Sequence, residues 1–268
     1  LCMQKKFKNL NDNLKTKGYF VIKNFINKSK IKKLKIAISN LFLKEIEFLF
    51  GKSYTFKNKN NLWDDKKFCA LILSFRKKYP LNFSKLYNLI KYNPLLLDIL
   101  NDKKIISISK KILNATNQNI WNGEFMIRID VPNDRRNVIG WHQEANYYKD
   151  QTIDGKNGVV YWIALSKSIK KINGAIMVKE SSHKKGLVKA TKYLEKKSKL
   201  SNKYKSVTFR SNIKNLKKFK TKSIETKVGD IIGMDMRLFH QSGDNKSKII
   251  RLSCINRVFD TSSKSWPN

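Results

Sequence analysis

The sequence predicts a mainly β fold with flanking α-helices, because its two parts carry different hydrophobic patterns. Before residue 115, apolar residues recur at helical spacing, with lysines between them. From Gly123 onward, short β-type runs are bounded by glycine turns, and no long helical pattern separates them. Several short strands of this kind indicate an antiparallel barrel or a double-sheet jelly roll.

The N-terminal part is predicted to contain one strand followed by helices. Gly18 to Ile22 is a short β-rich run. A helical pattern extends from Ile31 to Leu49, and Ser29 is its expected N-cap. A second helical stretch, from about Ser84 to Leu113, is interrupted at Asn93-Pro94, since proline cannot continue a helix interior.

We interpret residues 1–268 as one domain, with the first strand and the helices in 15–115 and the jelly-roll core in 123–260. There is no internal repeat in the sequence. The strands of the core are expected at Glu124–Val131, Trp141–Tyr148, Val159–Leu165, Ala175–Lys179, Ile224–Met236 and Ile249–Phe259.

The net charge of +37 comes from 57 basic and 20 acidic residues, and it has two interpretations. A field of this size attracts nucleic acids or anionic membranes. However, 49 of the basic residues are lysines and only eight are arginines. Proteins that recognise phosphates or base edges usually depend on the bidentate fork of arginine. The composition therefore favours solvated surface lysines from an A/T-rich coding sequence and argues against a nucleic-acid function.

One stretch concentrates this charge. Residues 184–227 contain sixteen basic residues against Glu195 and Glu225, and they show little periodicity. We interpret this stretch as a partly helical or mobile insertion between two strands. It is either a solvated surface excursion or a rim that attracts an anionic substrate.

The cysteines and the hydropathy indicate the compartment. Cys2, Cys69 and Cys254 are odd in number, widely spaced and without a CxxC pair, which favours a reducing environment. No apolar run reaches the length of a membrane span, and the N-terminus lacks the apolar region of a signal peptide. Cytoplasm is therefore the expected location.

Two of the three histidines occur in segments suited to metal binding. On an extended strand, His142 and Glu144 would point to the same face and present an imidazole beside a carboxylate. His240, 98 residues later, follows another β-type run and could supply a third ligand. Alone, a His-x-Glu tripeptide is often only a polar part of an edge strand. Arg251, in an apolar strand, is expensive to bury unless it meets an anion.

Several segments in the same order carry a resemblance to a known family. They are Gly18–Ile22 with the Ile31 helix, Asn93–Leu113, Trp141–Glu144, Tyr161–Leu165, Asn173–Ala175, Ser181–Lys184, His240–Ser242 and Arg251. Together they resemble the phytanoyl-CoA dioxygenase-like branch of the Fe(II)- and 2-oxoglutarate-dependent oxygenases. The likeness covers roughly residues 15 to 260 and is weakest through the basic insertion.

The resemblance implies a double-stranded β-helix, that is, a cupin-like jelly roll, and a metal centre. By this likeness, His142, Glu144 and His240 would hold Fe(II). The keto-acid end of 2-oxoglutarate would chelate the iron, and its distal carboxylate would pair with Arg251, assisted by Ser242. With O2 as the other cosubstrate, the implied reaction is hydroxylation of a small-molecule metabolite, with release of succinate and CO2.

Two positions depart from the family pattern or lie outside its metal centre. The family usually has Asp at the position of Glu144, whose extra methylene changes the reach of the carboxylate. A carboxylate there argues against the halogenating relatives, in which a small residue leaves room for halide. His183 is structural in the family and is not expected to bind the metal.

Further residues could belong to the site, and most of them also have a purely structural interpretation. Trp162 is either core or a wall of the 2-oxoglutarate pocket, and Arg128 touches an acidic group only if its strand face points inward. Arg257 lies on the same face as Arg251 by period-2 spacing and is the fallback partner of the cosubstrate. Those that could line the substrate side are Asn146, Tyr147 and Tyr148.

The sequence leaves other functions open. One is an anion- or nucleic-acid-binding protein on a degenerate oxygenase barrel. Another is a 2-oxoglutarate reaction such as desaturation, ring closure or epimerisation, which differs only in how the substrate is placed around the iron. The basic charge leaves an anionic substrate as one alternative, and the sequence identifies neither the substrate nor the oligomeric state.

Overall fold

The computed structural model describes residues 2–134, 137–196, 205–211 and 216–267. All its α-helices in these ranges end before residue 114, and all its strands except the first begin after it. Its α-helices are α1 (Cys2–Lys17), α2 (Lys28–Phe50), α3 (Lys66–Lys78), α4 (Pro80–Leu89), α5 (Pro94–Leu100) and α6 (Lys103–Leu113). Short 3-10 turns cover Lys59–Asp64, Ile90–Tyr92, Glu144–Tyr147, Ser182–Lys185 and Leu216–Lys218.

The strands of the same ranges form four antiparallel sheets. They are β1 (Tyr19–Ile22), β2 (Ile120–Asn122), β3 (Met126–Asp130), β4 (Gly158–Ala164), β5 (Ser168–Ile169), β6 (Ile176–Lys179), β7 (Ala190–Lys196), β8 (Lys205–Ser211), β9 (Thr221–Ile224), β10 (Thr226–Lys227), β11 (Ile231–Asp235), β12 (His240–Gln241) and β13 (Arg251–Asp260). The main sheet has the order β1-β11-β4-β13-β2, and β3 also pairs with β13. A second sheet has the order β12-β6-β9, and two pairs are formed by β5 with β10 and by β7 with β8.

The chain is mixed α and β, with a β-rich part that begins at residue 120. Helices contain more of the described residues than strands do. The expectation of a mainly β fold therefore describes the second half of the chain, whereas the first half is almost entirely helical.

The helix boundaries follow from side-chain caps. Helix α2 is capped by Asn27, whose side chain accepts the N–H of Ser29 at 2.8 Å. The prediction that Ser29 is the N-cap was therefore wrong, because Ser29 already lies in the first turn. The predicted break at Pro94 is confirmed, since Asn93 caps α5 and Pro94 is its first residue. A second cap, at Asp102, makes α6 a separate helix.

Strands β4 and β13 separate the helices from the interior of the β-rich part. Alternate residues of β4 face opposite sides: Tyr161 packs in the helix-facing core, and Trp162 packs in the cluster between the sheets. On β13, Cys254 faces the helices and Ile255 faces the interior. This period-2 alternation directs Arg251, as well as Ile255, toward the inner side.

Most predicted strands coincide with β3, β4, β6, β11 and β13, but Trp141–Tyr148 is not a strand. It makes a single bridge between His142 and His240 and then enters the 3-10 turn at Glu144–Tyr147. The predicted run Ile224–Met236 is also divided, with a turn between β10 and β11.

The basic stretch 184–227 is not one excursion. Strands β7 and β8 form a hairpin that the sequence pattern did not predict, and β9 joins the second sheet beside β6. Residues 197–204 and 212–215 of this stretch lie outside the described residues. Among the helices of the described ranges, none is long and apolar enough to cross a membrane.

Candidate metal centre

The two histidines that are 98 residues apart in sequence are backbone neighbours. His142 and His240 exchange two N–H to carbonyl hydrogen bonds of 3.1 Å, and their ring centroids lie 4.2 Å apart. Gln143, between His142 and Glu144, is extended, with φ −107° and ψ 131°. The side chain of Glu144 therefore returns to the face of His142, although this segment is not a strand.

Backbone carbonyls fix the orientation of both imidazoles. Nδ1 of His142 lies 2.8 Å from the carbonyl oxygen of Gly140, and Nδ1 of His240 lies 3.0 Å from that of Leu238. A proton on each Nδ1 satisfies these contacts and leaves the Nε2 lone pairs free. Both Nε2 atoms face Oε2 of Glu144, at 3.5 Å from His142 and 3.3 Å from His240.

These three buried side chains form a set of donors that suits a metal ion. One donor atom from each lies within 4.8 Å of the others. Burial, together with the nearby His240, lowers the pKa of His142 to about 4, so its imidazole is neutral near pH 7. Two neutral imidazoles and one carboxylate are the ligands of the facial triad found in non-haem iron oxygenases.

The second oxygen of Glu144 is held by an arginine. Oε1 accepts hydrogen bonds from Nε and Nη2 of Arg257, at 2.8 and 2.6 Å. Burial alone would raise the pKa of the Glu144 carboxyl. The charge of Arg257 and the contacts with His142 and His240 outweigh burial and hold this pKa well below its usual range.

The ligands open into a cavity of about 240 Å³ between the sheets. Trp162 lines it from β4 and is buried, so this side chain is both core and pocket wall. Tyr147 and Tyr148 also line the cavity. Asn146 is buried outside this lining, and its amide donates to the carbonyl of Val188 at 3.2 Å.

In the part of the chain that the structure describes, two arginines line the cavity, and Arg128 makes fewer hydrogen bonds than Arg257. Its strand face points inward, and Nη1 donates to the hydroxyl of Ser242 at 2.9 Å. Nη2 donates to the carbonyl oxygen of Asn137. Nε is buried and has no hydrogen-bond partner among the described residues. An unsatisfied buried donor of this kind favours an anionic or carbonyl-bearing ligand.

Arg251 is placed differently. Its Nε and Nη2 donate to Oδ2 of Asp130 at 2.9 and 2.6 Å, and the side chain does not line the cavity. Nη1 packs against Gly174, whose φ is +90° and where a Cβ would lie 2.7 Å from that nitrogen. The anion that Arg251 meets is thus a side chain of the same chain, and its pairing with a cosubstrate stays a prediction.

The hairpin β7–β8 contributes to the cavity, which the sequence did not indicate. Val207 of β8 lines it, and Phe209 packs edge-to-face on Tyr147 with ring centroids 4.7 Å apart. The hydroxyl of Tyr147 accepts the N–H of Phe209 at 3.1 Å, and its ring lies edge-on to His142 at 5.5 Å. Val207 and Phe209 alternate with polar residues on β8, but this run is short and lies in a stretch whose charge dominates its pattern, so the hairpin was missed.

Other residues that line the cavity could be identified only once the pairing register of the strands is known. Glu124 lines the cavity and lies 3.4 Å from the hydroxyl of Tyr148. Period-2 spacing on β13 already placed Arg257 on the inner face, but not its contact with Glu144. His183 lies outside the site, where its Nε2 is 3.0 Å from the carbonyl oxygen of Lys15.

Comparisons with known proteins agree with this architecture. Among solved structures, the chain is similar to the epimerase SnoN, described as non-heme and α-ketoglutarate-dependent and solved in complex with Fe3+, α-ketoglutarate and nogalamycin RO. The TM-score is 0.59 at 11% identity, over 98% of this chain and 87% of SnoN.

Two further structures have the same fold. EctD from S. alaskensis, solved with 2-oxoglutarate and 5-hydroxyectoine, matches with a TM-score of 0.58 at 12% identity, over 95% of this chain and 76% of its own. AviO1 from Streptomyces viridochromogenes Tue57 matches with a TM-score of 0.58 at 12% identity, over 97% of each chain. A sequence search of curated proteins gave no match.

A match to the sequence model of a protein family shows to which family the chain belongs. The model for phytanoyl-CoA dioxygenase (PhyH) matches residues 14–253, which is most of the chain and includes all three candidate metal ligands. The resemblance in the sequence segments and the fold of the solved relatives point the same way. The chain therefore belongs to the phytanoyl-CoA dioxygenase family.

Proposed function

We propose that the protein is an Fe(II)- and 2-oxoglutarate-dependent dioxygenase that hydroxylates a small-molecule metabolite. In this reaction one oxygen atom of O2 enters the substrate as hydroxyl and the other enters succinate, while 2-oxoglutarate loses CO2. The observation that carries the proposal is the convergence of His142, Glu144 and His240 at the wall of a cavity.

The residues present fit a divalent metal. Two imidazoles present their Nε2 lone pairs and a carboxylate presents Oε2, and the Nδ1 atoms are anchored on backbone carbonyls. His142, Glu144 and His240 would therefore hold Fe(II) through three donors. When bound with 2-oxoglutarate, the iron supplies the activation of O2 that amino-acid side chains cannot provide.

The cavity also fits a dicarboxylate. Of the three arginines on its inner strands, Arg257 is engaged by Glu144, and Arg251 is engaged by Asp130. Arg128 and Arg251 each keep one buried nitrogen without a partner among the described residues, Nε and Nη1 respectively. Of these two arginines, Arg128 lines the cavity and contacts Ser242. We assign the distal carboxylate of 2-oxoglutarate to Arg128, and to Ser242 the role of holding Nη1 of Arg128 from outside the cavity lining. Arg251 does not line the cavity, and it would need to release Asp130 before it could bind the cosubstrate.

The remaining lining residues shape the space for cosubstrate and substrate. Trp162 closes the wall on the side of β4 and excludes water from the polar groups. Tyr147 and Tyr148 lie on the segment that follows Glu144 and supply aromatic surface to a substrate. The hairpin β7–β8, with Val207 on its inner side, covers part of the opening, and its cations would favour an anionic substrate.

The fold proposal follows from the same arrangement. We interpret the two larger sheets as a double-stranded β-helix that, together with the N-terminal helices, forms one oxygenase domain. The cytoplasm remains the location expected from the sequence.

The direct test is Fe(II)-dependent conversion of 2-oxoglutarate to succinate. Protein prepared without oxygen is loaded with Fe(II), mixed with 2-oxoglutarate and aerated buffer, and succinate is measured with and without candidate metabolites. His142→Ala is the control and should give no succinate above background. Wild-type protein that neither binds Fe(II) nor forms succinate with any metabolite would contradict the proposal.

Two other candidate functions predict different experimental results. SnoN is described as an epimerase, and epimerisation, desaturation or ring closure would consume 2-oxoglutarate without adding oxygen to the product. The product mass separates these reactions from hydroxylation. A degenerate barrel that binds nucleic acid would instead show steeply salt-dependent binding that survives His142→Ala.

A further inference from the structure

Glu144 presents its two carboxylate oxygens to different partners. Oε1 accepts two hydrogen bonds from Arg257, at 2.8 and 2.6 Å, whereas Oε2 faces Nε2 of His142 and of His240. We infer that Arg257 is a positioning residue that reserves Oε1, so that a metal ion is offered Oε2 alone. This inference rests on the proposed metal function and concerns how that site is built.

The need for such a residue follows from the side chain that is present. A carboxylate can bind a metal through one oxygen or through both. Glutamate has one more rotatable bond than aspartate, which gives its carboxylate more freedom to turn between these two modes. A guanidinium that donates Nε–H and Nη2–H to a single oxygen removes that oxygen from metal binding. Arg257 therefore restricts the freedom that Glu144 would otherwise have.

Strand β13, rather than a loop, holds the guanidinium. Arg257 lies opposite Val160 of β4, its Nη1 donates to the carbonyl of Glu124 at 3.3 Å, and its guanidinium lies over the ring of Tyr148 at 5.4 Å. The side chain is buried, with 5% of its surface exposed. A donor anchored by two paired strands and a ring keeps a fixed position while ligands enter and leave the cavity.

The consequence concerns the number of open metal positions. A carboxylate that binds through both oxygens would occupy one more position than a carboxylate that binds through one. The facial arrangement depends on open positions for cosubstrate and oxygen. By holding Oε1, Arg257 keeps that position open, and the same engagement withdraws Arg257 from binding the cosubstrate carboxylate.

Arg257→Met and Arg257→Lys test the inference by anaerobic titration with Fe(II). Methionine keeps much of the apolar volume but removes both donors, and we expect Fe(II) affinity to fall by about tenfold or more. Lysine keeps the charge but not the two-point geometry, so we expect an intermediate loss of about three- to tenfold.

The matched control is Arg237→Met. Arg237 also donates Nε and Nη2 to a carboxylate, that of Asp235, at 2.8 and 2.6 Å, but it contacts no metal ligand. We expect this variant to bind Fe(II) within about twofold of wild type. An equal loss in the control would show that removal of any such ion pair weakens the site, and would overturn the inference.

A second readout reports the open position itself. At saturating Fe(II) without oxygen, the charge-transfer absorbance that appears when a keto acid chelates iron should be weaker for Arg257→Met than for wild type. Unchanged Fe(II) affinity and unchanged absorbance in Arg257→Met would overturn the inference. If this variant does not fold, Arg257→Lys decides, since wild-type affinity there would also overturn it. Absence of Fe(II) binding by wild type would instead contradict the proposed function.

Discussion

Arg251 and Asp130 form a buried ion pair between neighbouring strands, with Nε and Nη2 of the arginine 2.9 and 2.6 Å from Oδ2 of the aspartate. The two residues are opposite each other in the β13–β3 register. Arg128 lies two residues before Asp130 on the same face of β3 and contacts Ser242. One inner strand thus carries a carboxylate that engages Arg251 and a cation that lines the cavity.

Substitution of Arg128 should impair the use of 2-oxoglutarate more than substitution of Arg251. In Arg128→Met we expect the 2-oxoglutarate concentration for half-maximal succinate formation to rise by about tenfold or more, because hydrogen bonds to a charged group contribute about 1.5–3 kcal/mol. Fe(II) affinity should change little. Arg251→Met should have the smaller effect on the cosubstrate.

The opposite ranking of these two variants would contradict the assignment to Arg128. If Arg251→Met raises the required 2-oxoglutarate concentration and Arg128→Met does not, the assignment to Arg128 is wrong. Arg251 must then release Asp130 when the cosubstrate binds.

Asp130→Asn should destabilise the fold strongly. The substitution leaves Arg251, of which 1% is exposed, as a buried charge without its carboxylate. Breaking a buried ion pair in this way costs about 3–5 kcal/mol in free energy of unfolding, measured by urea denaturation. The double variant Asp130→Asn/Arg251→Met removes both charges and should be less destabilised than the single variant. A loss in the double variant equal to the sum of the losses in Asp130→Asn and Arg251→Met would mean that the pair is not energetically coupled.

The sequence predicted the metal ligands better than it predicted their backbone. Trp141–Tyr148 was expected to be a strand, but Ala145 donates instead to the carbonyl of Met236 and a 3-10 turn begins at Glu144. The side-by-side placement of His142 and Glu144 needed only one extended residue, Gln143, and therefore did not depend on a full strand.

The parts that sequence reasoning missed depend on register. Cross-strand partners such as Asp130 for Arg251 are set by how β3 aligns with β13. A shift of one residue in this alignment would move every inward-facing side chain of the strand to the outer face. The hairpin β7–β8 was missed for a related reason, since its two strands are short and their pairing cannot be read from either strand alone. Periodicity found the faces of β4 and β13, but not what each inner side chain contacts.

His142 should remain available to a metal ion throughout the neutral pH range. A proton competes with a metal for an imidazole only below the pKa of that imidazole, and the pKa of His142 is lowered to about 4 by burial and by His240. We expect the imidazole of His142, followed by NMR in the apoprotein, to stay unprotonated from about pH 8 to about pH 5 and to take up its proton below that. A midpoint of His142 near the ordinary histidine value of about 6.5 would contradict the depressed pKa.

His240→Ala should abolish Fe(II) binding while the fold persists. The imidazole supplies one of three donors, and its Nε2 lies 3.3 Å from Oε2 of Glu144, so its loss leaves only two ligands on one side of the cavity. The backbone bridge to His142 does not use the side chain, and the main sheet does not contain β12. We therefore expect a thermal midpoint close to that of the wild-type apoprotein, together with no measurable Fe(II) binding and no succinate formation. His183→Gln removes the third histidine, which lies outside the site, and should retain Fe(II) affinity. Retained Fe(II) binding in His240→Ala would mean that the third ligand is another residue.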